Sequence, residues 1–447
     1  MSRVYIKTYG CQMNERDSED VAAKLQARGY ELVHSEERAD IVLLNTCSVR
    51  EHAERKAIGK AGNISSSRKK DPNFILGIMG CMAQNRGGQL LSELPDLDLI
   101  VGTQKFHRIP DFLDELQSNE KKVNRLEIGD EEDSQSEIKD HFESGNKRIS
   151  SFVSIMQGCN MNCSFCIVPK TRGKERYRSI HEIVEEVKQL ASAGTKEVTL
   201  LGQIVNAYGR GRFKNIDGKT PFVQLLEKIN DIEGIERIRF TSPHPTSFGK
   251  DLIHAFGDLK KLGSYAHLPM QSGSNKILKS MNRPYSSEKF IRLVRELRRI
   301  NPKMRLSTDV IVGYPGESEE DFNQTKKVFI ECGFEMAFIF KYSERVGTPA
   351  ARYEDKVPAK IKDRRNQELL KLLEEQSLAS NKKLIGTNLE VLIEGSARKG
   401  EGKLVGRTAC YRKVIFNAKP RLIGELVLIK INEATPNTLF GEIIVGL

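Results

Sequence analysis

Three cysteines stand close together in the stretch Cys159-Asn160-Met161-Asn162-Cys163-Ser164-Phe165-Cys166, four and three residues apart. The stretch follows an expected strand and Gly158, and a loop, unlike a strand, can turn all three sulfurs to one side. Structural zinc closes its tetrahedron with four ligands, and no fourth Cys or His lies nearby in the chain. A four-iron cluster suits thiolate ligands, and with three of them its fourth iron is open to a substrate. Zinc completed by a distant His, or a loop that binds nothing, are the alternatives this spacing leaves open.

Cys11, Cys47 and Cys81 are 36 and 34 residues apart, and each follows an expected strand: Tyr5–Tyr9, Ile41–Asn45 and Phe74–Met79. In a parallel sheet the C-terminal strand ends share one edge, where ligands bind. Three such cysteines can converge on a second cluster; the alternative is three buried small hydrophobes. Cys332 and Cys410 have no Cys or His at ligand spacing and are assigned to packing. Eight cysteines in a reducing compartment point to metal ligation or catalysis rather than a disulfide framework.

The elements that must position these residues fall into an α/β pattern. Strand runs Val4–Ile6, Ile41–Leu44, Phe74–Met79 and Leu97–Val101 alternate with helical stretches such as Asp17–Arg28, predicting an N-terminal doubly wound parallel sheet over residues 1–118. An acidic linker, 119–147, follows, with Gly129–Glu137 nearly free of apolar residues. Residues 148–376 repeat the alternation in larger units. The strands are Phe152–Met156, Glu197–Leu201, Arg237–Thr241, Ser264–Leu268, Arg305–Val312 and Glu335–Tyr342, with helices including His181–Ala193, Phe222–Asp231, Ser287–Ile300 and Glu319–Cys332. Six βα units are too few for a closed eight-stranded barrel, so a partial (β/α)6 barrel is expected, with functional residues at its C-terminal strand ends. A charged helix, Ala359–Leu384, leads into residues 377–447. There Leu389–Ile393, Lys403–Thr408, Val414–Phe416, Leu422–Ile431 and Thr438–Val445 predict a small all-β barrel.

Composition agrees with a chain of about three domains: 447 residues, 38% hydrophobic and 29% charged. No run approaches the roughly 18 apolar residues of a membrane helix, and Met1–Lys7 reads as a strand rather than a secretory signal. A cytosolic protein without membrane association is expected. The net charge of +11 fits either a generally basic enzyme or one with an acidic polymer, such as nucleic acid, as partner.

The Cys159–Cys166 loop, with aromatic Phe165 before its last cysteine, resembles the signature of the radical-SAM superfamily. Two three-cysteine sets and a C-terminal β-domain together resemble the methylthiotransferases within it, over nearly the whole chain. Lys7-Thr8-Tyr9-Gly10-Cys11-Gln12-Met13-Asn14 with Asp17-Ser18-Glu19 looks like the branch acting on isopentenylated tRNA. So do Asn45-Thr46-Cys47-Ser48-Val49-Arg50, Gly80-Cys81-Met82-Ala83-Gln84 and Val168-Pro169-Lys170-Thr171-Arg172-Gly173. Ile204, in place of a usual Asn, and Tyr177, in place of a usual Ser, depart from the pattern without touching a cysteine.

The resemblance implies two 4Fe-4S clusters, at Cys159/Cys163/Cys166 and at Cys11/Cys47/Cys81. It implies methylthiolation of C2 of N6-isopentenyladenosine at position 37 of tRNA, with S-adenosylmethionine as both methyl donor and radical source. Gly202, Gln203, Gln271, Ser272 and Asp309, at ends of expected barrel strands, are assigned by resemblance to the S-adenosylmethionine pocket; ordinary βα turns also favour such glycines. His244 is either substrate-facing or structural. The β-domain becomes the tRNA-binding TRAM domain. From Ser380 onward it carries 11 Lys and Arg against 6 Glu, a net +5, with Tyr411 and Phe416 able to stack on unpaired nucleotides, and Lys360–Arg365 able to extend the basic track. The partners implied are the tRNA anticodon loop, an electron donor and a sulfur source, both unidentified, acting on a monomer. The same chemistry on a ribosomal protein or on threonylcarbamoyl-adenosine, and a nucleic-acid-binding redox sensor, are the competing functions.

Overall fold

Three structured regions follow one another in the computed structural model, which describes residues 1–48, 51–68, 71, 73–118, 124–129, 148–400 and 402–444. The first is a parallel sheet of β1 (Arg3–Tyr9), β2 (Glu31–Leu32), β3 (Ile41–Thr46), β4 (Ile75–Gly80), β5 (Leu99–Val101) and β6 (Arg125–Glu127), in the order β2-β1-β3-β4-β5-β6. Helices α1 (Gln12–Ala27), α2 (Glu51–Arg68), α3 (Cys81–Glu93) and α4 (Ile109–Ser118) cover it. Along β3, Ile41 and Leu43 enter the core beneath α1 and α4, whereas Val42 and Leu44 enter the one beneath α2 and α3. Burial on both faces is why these strands read as unbroken apolar runs. The strand order reverses between β1 and β3, and open α/β sheets bind ligands beyond the carboxyl ends at such a switch point.

Two expectations change here. Helix α1 begins at Gln12, not Asp17, so its first turn starts directly behind Cys11. Arg125–Glu127, inside the stretch read as linker, adds β6 to the sheet edge through Gly102 N–H donating to the Glu127 carbonyl at 2.7 Å. Most of the acidic stretch itself, 130–137, lies outside the described residues.

The middle region contains β7 (Ser150–Ser154), β8 (Met156–Gln157), α5 (Val168–Arg172), β9 (Arg176–Tyr177), α6 (Ile180–Ser192), β10 (Glu197–Leu201), α7 (Pro221–Asn230) and β11 (Arg237–Phe240). It continues through α8 (Lys250–Asp258), β12 (Tyr265–His267), α9 (Asn275–Ser280), α10 (Ser287–Ile300), β13 (Arg305–Val312), α11 (Glu319–Cys332) and β14 (Met336–Lys341). Parallel sheets β11-β10-β7 and β12-β13-β14 are joined by one bridge, Ile238 to Leu262. Six parallel strands thus form the expected open barrel, and their outward side chains share one core with the helices. Helix α12 (Ala359–Lys382) packs on β14, where Asn366 and Ser377 donate to the carbonyls of Ile339 and Glu335 at 2.8 and 2.6 Å.

The last region is a closed barrel of β15 (Asn388–Ser396), β16 (Lys403–Thr408), β17 (Lys413–Asn417), β18 (Leu426–Ala434) and β19 (Leu439–Ile443), ordered β15-β16-β17-β19-β18. Its fourth strand starts at Leu426 rather than Leu422, because Pro420–Leu422 forms a 3-10 turn and Gly424 takes φ +94°. Phe416 is buried in the barrel core, so it has no face for a nucleotide. Tyr411 stacks on Tyr265, with centroids 5.0 Å apart, and the guanidinium groups of Arg239 and Arg407 lie 4.7 and 4.6 Å from its ring. Arg239 and Arg305 donate to the carbonyls of Thr408 and Tyr411 at 2.9 and 3.0 Å. These aromatics fasten the β-barrel to the first residues of the central strands, the end opposite the cysteine loops. Among the described residues no helix is long and apolar enough to cross a membrane.

Candidate active site

Cys11 caps α1 just beyond β1, Cys47 follows β3, and Cys81 opens α3 directly after β4. The first two therefore flank the switch point. The side chains of Cys11 and Cys47 are hydrogen-bonded to one another. That bond foremost, against burial and with help from Arg172, brings the Cys11 thiol down to about 6. Cys81 is buried, which pushes its thiol up, and it lies within electrostatic reach of Cys11. Helix N-termini favour thiolates at Cys11 and Cys81. Asn14 accepts from the Cys11 N–H at 3.3 Å and donates to Asn45 Oδ1 at 3.0 Å, tying the first cysteine turn to the end of β3. Gly80, at φ +105°, makes the third turn possible: a Cβ there would lie 2.5 Å from Asn45 Oδ1.

The second trio lies in a loop closed at its base by β8 pairing antiparallel with β9. Gly158, at φ +84°, must lack a side chain, since a Cβ would meet the Lys174 carbonyl oxygen at 2.0 Å. Ser164 anchors the middle of the loop: its N–H donates to the Met281 carbonyl at 3.1 Å and its hydroxyl to the Ser280 carbonyl at 2.8 Å. Phe165 packs beside Ile277, Met281 and Tyr314. Burial pushes Cys159 up to about 11 and Cys166 up to about 12, and Cys163 interacts electrostatically with both. Arg283 Nη1 donates to Cys163 Sγ at 3.3 Å. Both trios therefore converge, the second bonded by Arg283 and the first within electrostatic reach of Arg172.

Both donor sets fit iron–sulfur chemistry. They are all sulfur, as such clusters require, and no disulfide consumes them among the described residues. Among those residues no three Cys, His, Asp or Glu side chains gather tightly enough for a single metal ion. A cluster, with its irons at separate corners, spaces its thiolates more widely.

The remaining assigned residues separate. Gly202 packs on Met156, three residues before Cys159, and Gln203 beside it has a buried Oε1 with no partner among the described residues. Ile204 is buried. Gln271, at φ +64°, joins the end of β13, its N–H donating to the Asp309 carbonyl at 2.7 Å. The Asp309 carboxylate lies 3.2 Å from His267 Nε2 and is partly exposed. Ser272 stands apart, because its hydroxyl is engaged by Thr325 Oγ1 at 3.2 Å and by the Ser274 N–H. Cys332 is buried as expected, whereas Cys410 is held by polar groups: Thr408 and Arg412 Nη1 contact its sulfur at 3.2 and 3.0 Å.

His244 is buried, its backbone clasped by Asn206 through bonds of 2.8 and 3.0 Å. The Thr246 N–H donates to Nδ1 at 3.3 Å, which places the proton of the neutral ring on Nε2, and that atom has no partner among the described residues. Burial, with Arg283 and Arg210 adding, lowers its pKa to about 3. Because the unfolded chain binds the proton near pH 6.5, the neutral ring's contribution to stability is complete above that pH and is lost as pH falls toward 3. At pH 5 the loss is about 2 kcal/mol. Urea midpoints of His244→Gln between pH 7.5 and 5 should fall less steeply than those of the parent chain; equal slopes would contradict this environment.

The sequence matches three family models in succession: Uncharacterized protein family UPF0004 at residues 3–102, the Radical SAM superfamily at 153–329, and the TRAM domain at 382–444. Among solved structures it is similar to the radical S-adenosylmethionine methyltransferase TsrM from Kitasatospora setae, with cobalamin and a [4Fe-4S] cluster bound. The TM-score is 0.57 at 13% identity, over 78% of this chain and 74% of that one, a likeness of fold. Curated relatives are much nearer. The tRNA-2-methylthio-N(6)-dimethylallyladenosine synthase of Opitutus terrae is 53% identical over 100% of this chain and 98% of its own. That of Akkermansia muciniphila is 48% identical over 99% and 98%, and one from Clostridium botulinum is 42% identical over 98% and 96%. With such identity along its whole length, and a radical-SAM barrel between the two other domains, the chain belongs to the tRNA-2-methylthio-N(6)-dimethylallyladenosine synthase family of radical-SAM methylthiotransferases.

Proposed function

We propose that this enzyme places a methylthio group on C2 of N6-isopentenyladenosine at position 37 of tRNA. Cys159, Cys163 and Cys166 hold one 4Fe-4S cluster, and Cys11, Cys47 and Cys81 hold the other. When bound, the clusters and S-adenosylmethionine supply a sulfur, a methyl group and a carbon radical able to attack an aromatic C–H bond that offers acid–base chemistry no handle. The convergence of two cysteine trios, one at three strand ends of the N-terminal parallel sheet and the other in the loop that follows β7 and β8, carries the reading.

The chain's own groups then have distinct tasks. Arg283 steadies Cys163. Gln203, Gln271 and Asp309, with Gly202 giving close approach, line the S-adenosylmethionine pocket, and Ser272 supports it from behind through Thr325. His244 offers a neutral Nε2–H donor to the substrate. The domains divide at 1–118, 148–376 and 377–447, and the last binds tRNA through its basic surface. Reductant and sulfur come from outside the chain, which works as a cytosolic monomer.

Mass spectrometry of tRNA nucleosides from a deletion strain tests the reaction. Methylthio-isopentenyladenosine should vanish and isopentenyladenosine accumulate, with restoration by the intact gene. An unchanged methylthio nucleoside would rule the reaction out and leave the ribosomal-protein or threonylcarbamoyl-adenosine reading.

A further inference from the structure

Arg172 spans the two trios. It ends α5, six residues beyond Cys166, yet its guanidinium lies in the N-terminal domain. There Nη2 and Nη1 donate to Asp17 Oδ2 and Oδ1 at 2.5 and 3.2 Å, with 3% and 0% of the two side chains exposed. Helix α5 packs against α3, the helix that Cys81 opens, and the same guanidinium acts electrostatically on Cys81 and Cys11. The preceding residue is fastened too, its carbonyl accepting from Thr103 Oγ1 at 2.5 Å. Next to Asp17, Arg16 forms a second buried cross-domain pair with Glu186 at 3.4 Å, and Arg178 holds the same carboxylate at 2.5 Å.

A domain contact alone needs no cation against a thiolate. Charges in a dry site interact far more strongly than in water, so a buried guanidinium within electrostatic reach of the ligands stabilises whichever cluster state carries more negative charge. Asp17, paired with the same guanidinium and itself pushing the Cys81 thiol up, opposes that effect.

We infer that Arg172 and Asp17 are positioning residues that jointly set the charge balance of the Cys11/Cys47/Cys81 site, Arg172 favouring the reduced state of the bound cluster and Asp17 disfavouring it. The inference rests on the two-cluster reading above. It also links the sites mechanically, because the helix that follows the radical loop ends in the group that holds Asp17 on α1, the helix Cys11 caps.

The test uses the full chain with Cys159, Cys163 and Cys166 changed to Ala, so that only the N-terminal cluster is reconstituted. Its midpoint potential is read by anaerobic titration followed by electron paramagnetic resonance. In that background Arg172→Gln should make the potential more negative and Asp17→Asn more positive, whereas Arg172→Lys, which keeps the charge, should stay near the parent value. Opposite shifts are something a merely structural pair would not produce. If Arg172→Gln does not fold, the Asp17→Asn and Arg172→Lys values decide alone. Shifts in the same direction, or none, with iron intact overturn the inference. A background chain that takes up no iron overturns the two-cluster reading as well, which distinguishes the two failures.

Discussion

Changing Cys159, Cys163 and Cys166 together to Ala should halve the iron of the anaerobically reconstituted enzyme, from about eight to about four per chain. Release of 5′-deoxyadenosine from S-adenosylmethionine should be abolished. The expectation is clean because the bonds that fasten the loop to α9 and Tyr314 do not pass through its sulfurs. Ser164 and Asn282, the latter donating to the Asn162 carbonyl at 2.7 Å, pin it to the end of α9. The Ser164 hydroxyl also lies 2.7 Å from Tyr314. Alanine leaves these bonds in place, so the fold, checked by circular dichroism, should survive while the ligands are gone. Full iron in the triple variant would remove these cysteines from the ligand set. Residual 5′-deoxyadenosine with half the iron would move the radical chemistry to the other site. The single changes should be almost as severe for radical formation, because a cluster left with two thiolates is poorly held.

Much of the architecture was readable because two-sided burial writes itself into composition. β10 and β13 are bounded as the apolar runs are, at Glu197–Leu201 and Arg305–Val312, and α10 and α11 fall at Ser287–Ile300 and Glu319–Cys332. Where burial is polar, the pattern fails. The first turn and a half of α1 contains Asn14, Arg16 and Asp17, all fully buried, yet none is apolar. Their burial is sustained by the asparagine network and the two cross-domain ion pairs, interactions between residues up to 170 positions apart. No local period encodes such partners, so the apolar pattern starts the helix at Asp17, five residues late. The edge strands β2 and β6, two and three residues long, give no period at all.

The same division runs through the site. The cysteines were legible from type and spacing, and the strand ends that gather the first trio from the alternation around them. Arg283, which bonds Cys163, and Arg172, which acts electrostatically on Cys81 and Cys11, are not. Arg172 belongs to the stretch Val168–Gly173, but in the string it is one more basic residue in a strongly basic chain. Tyr411 was misplaced for a related reason: aromatic residues among bases suit RNA, and they equally suit a guanidinium-stacked joint. Only the placement of Tyr265 and Arg239 decides between the two.

Changing Cys11, Cys47 and Cys81 together to Ala should have the complementary outcome: S-adenosylmethionine cleavage persists within a few-fold, while the methylthio nucleoside falls below detection. The two sites lie on separate sheets and their backbone supports do not overlap. The radical loop is held by α9 and Tyr314, the N-terminal trio by Asn14, Asn45 and the turn at Gly80. Removing three thiols from the switch point therefore takes nothing from the radical loop except what passes through Arg172. That residue keeps its bidentate bond to Asp17 after the change, so α5 and the loop behind it stay in place. The ratio of 5′-deoxyadenosine to methylthio product, measured with isopentenylated anticodon stem-loop RNA, separates the roles. Product at the parental ratio would show that sulfur is delivered without this trio. Loss of both activities with the radical-site iron retained would mean that the sites are coupled more tightly than one arginine explains, and Arg172→Lys in the same assay would then show whether the coupling runs along α5.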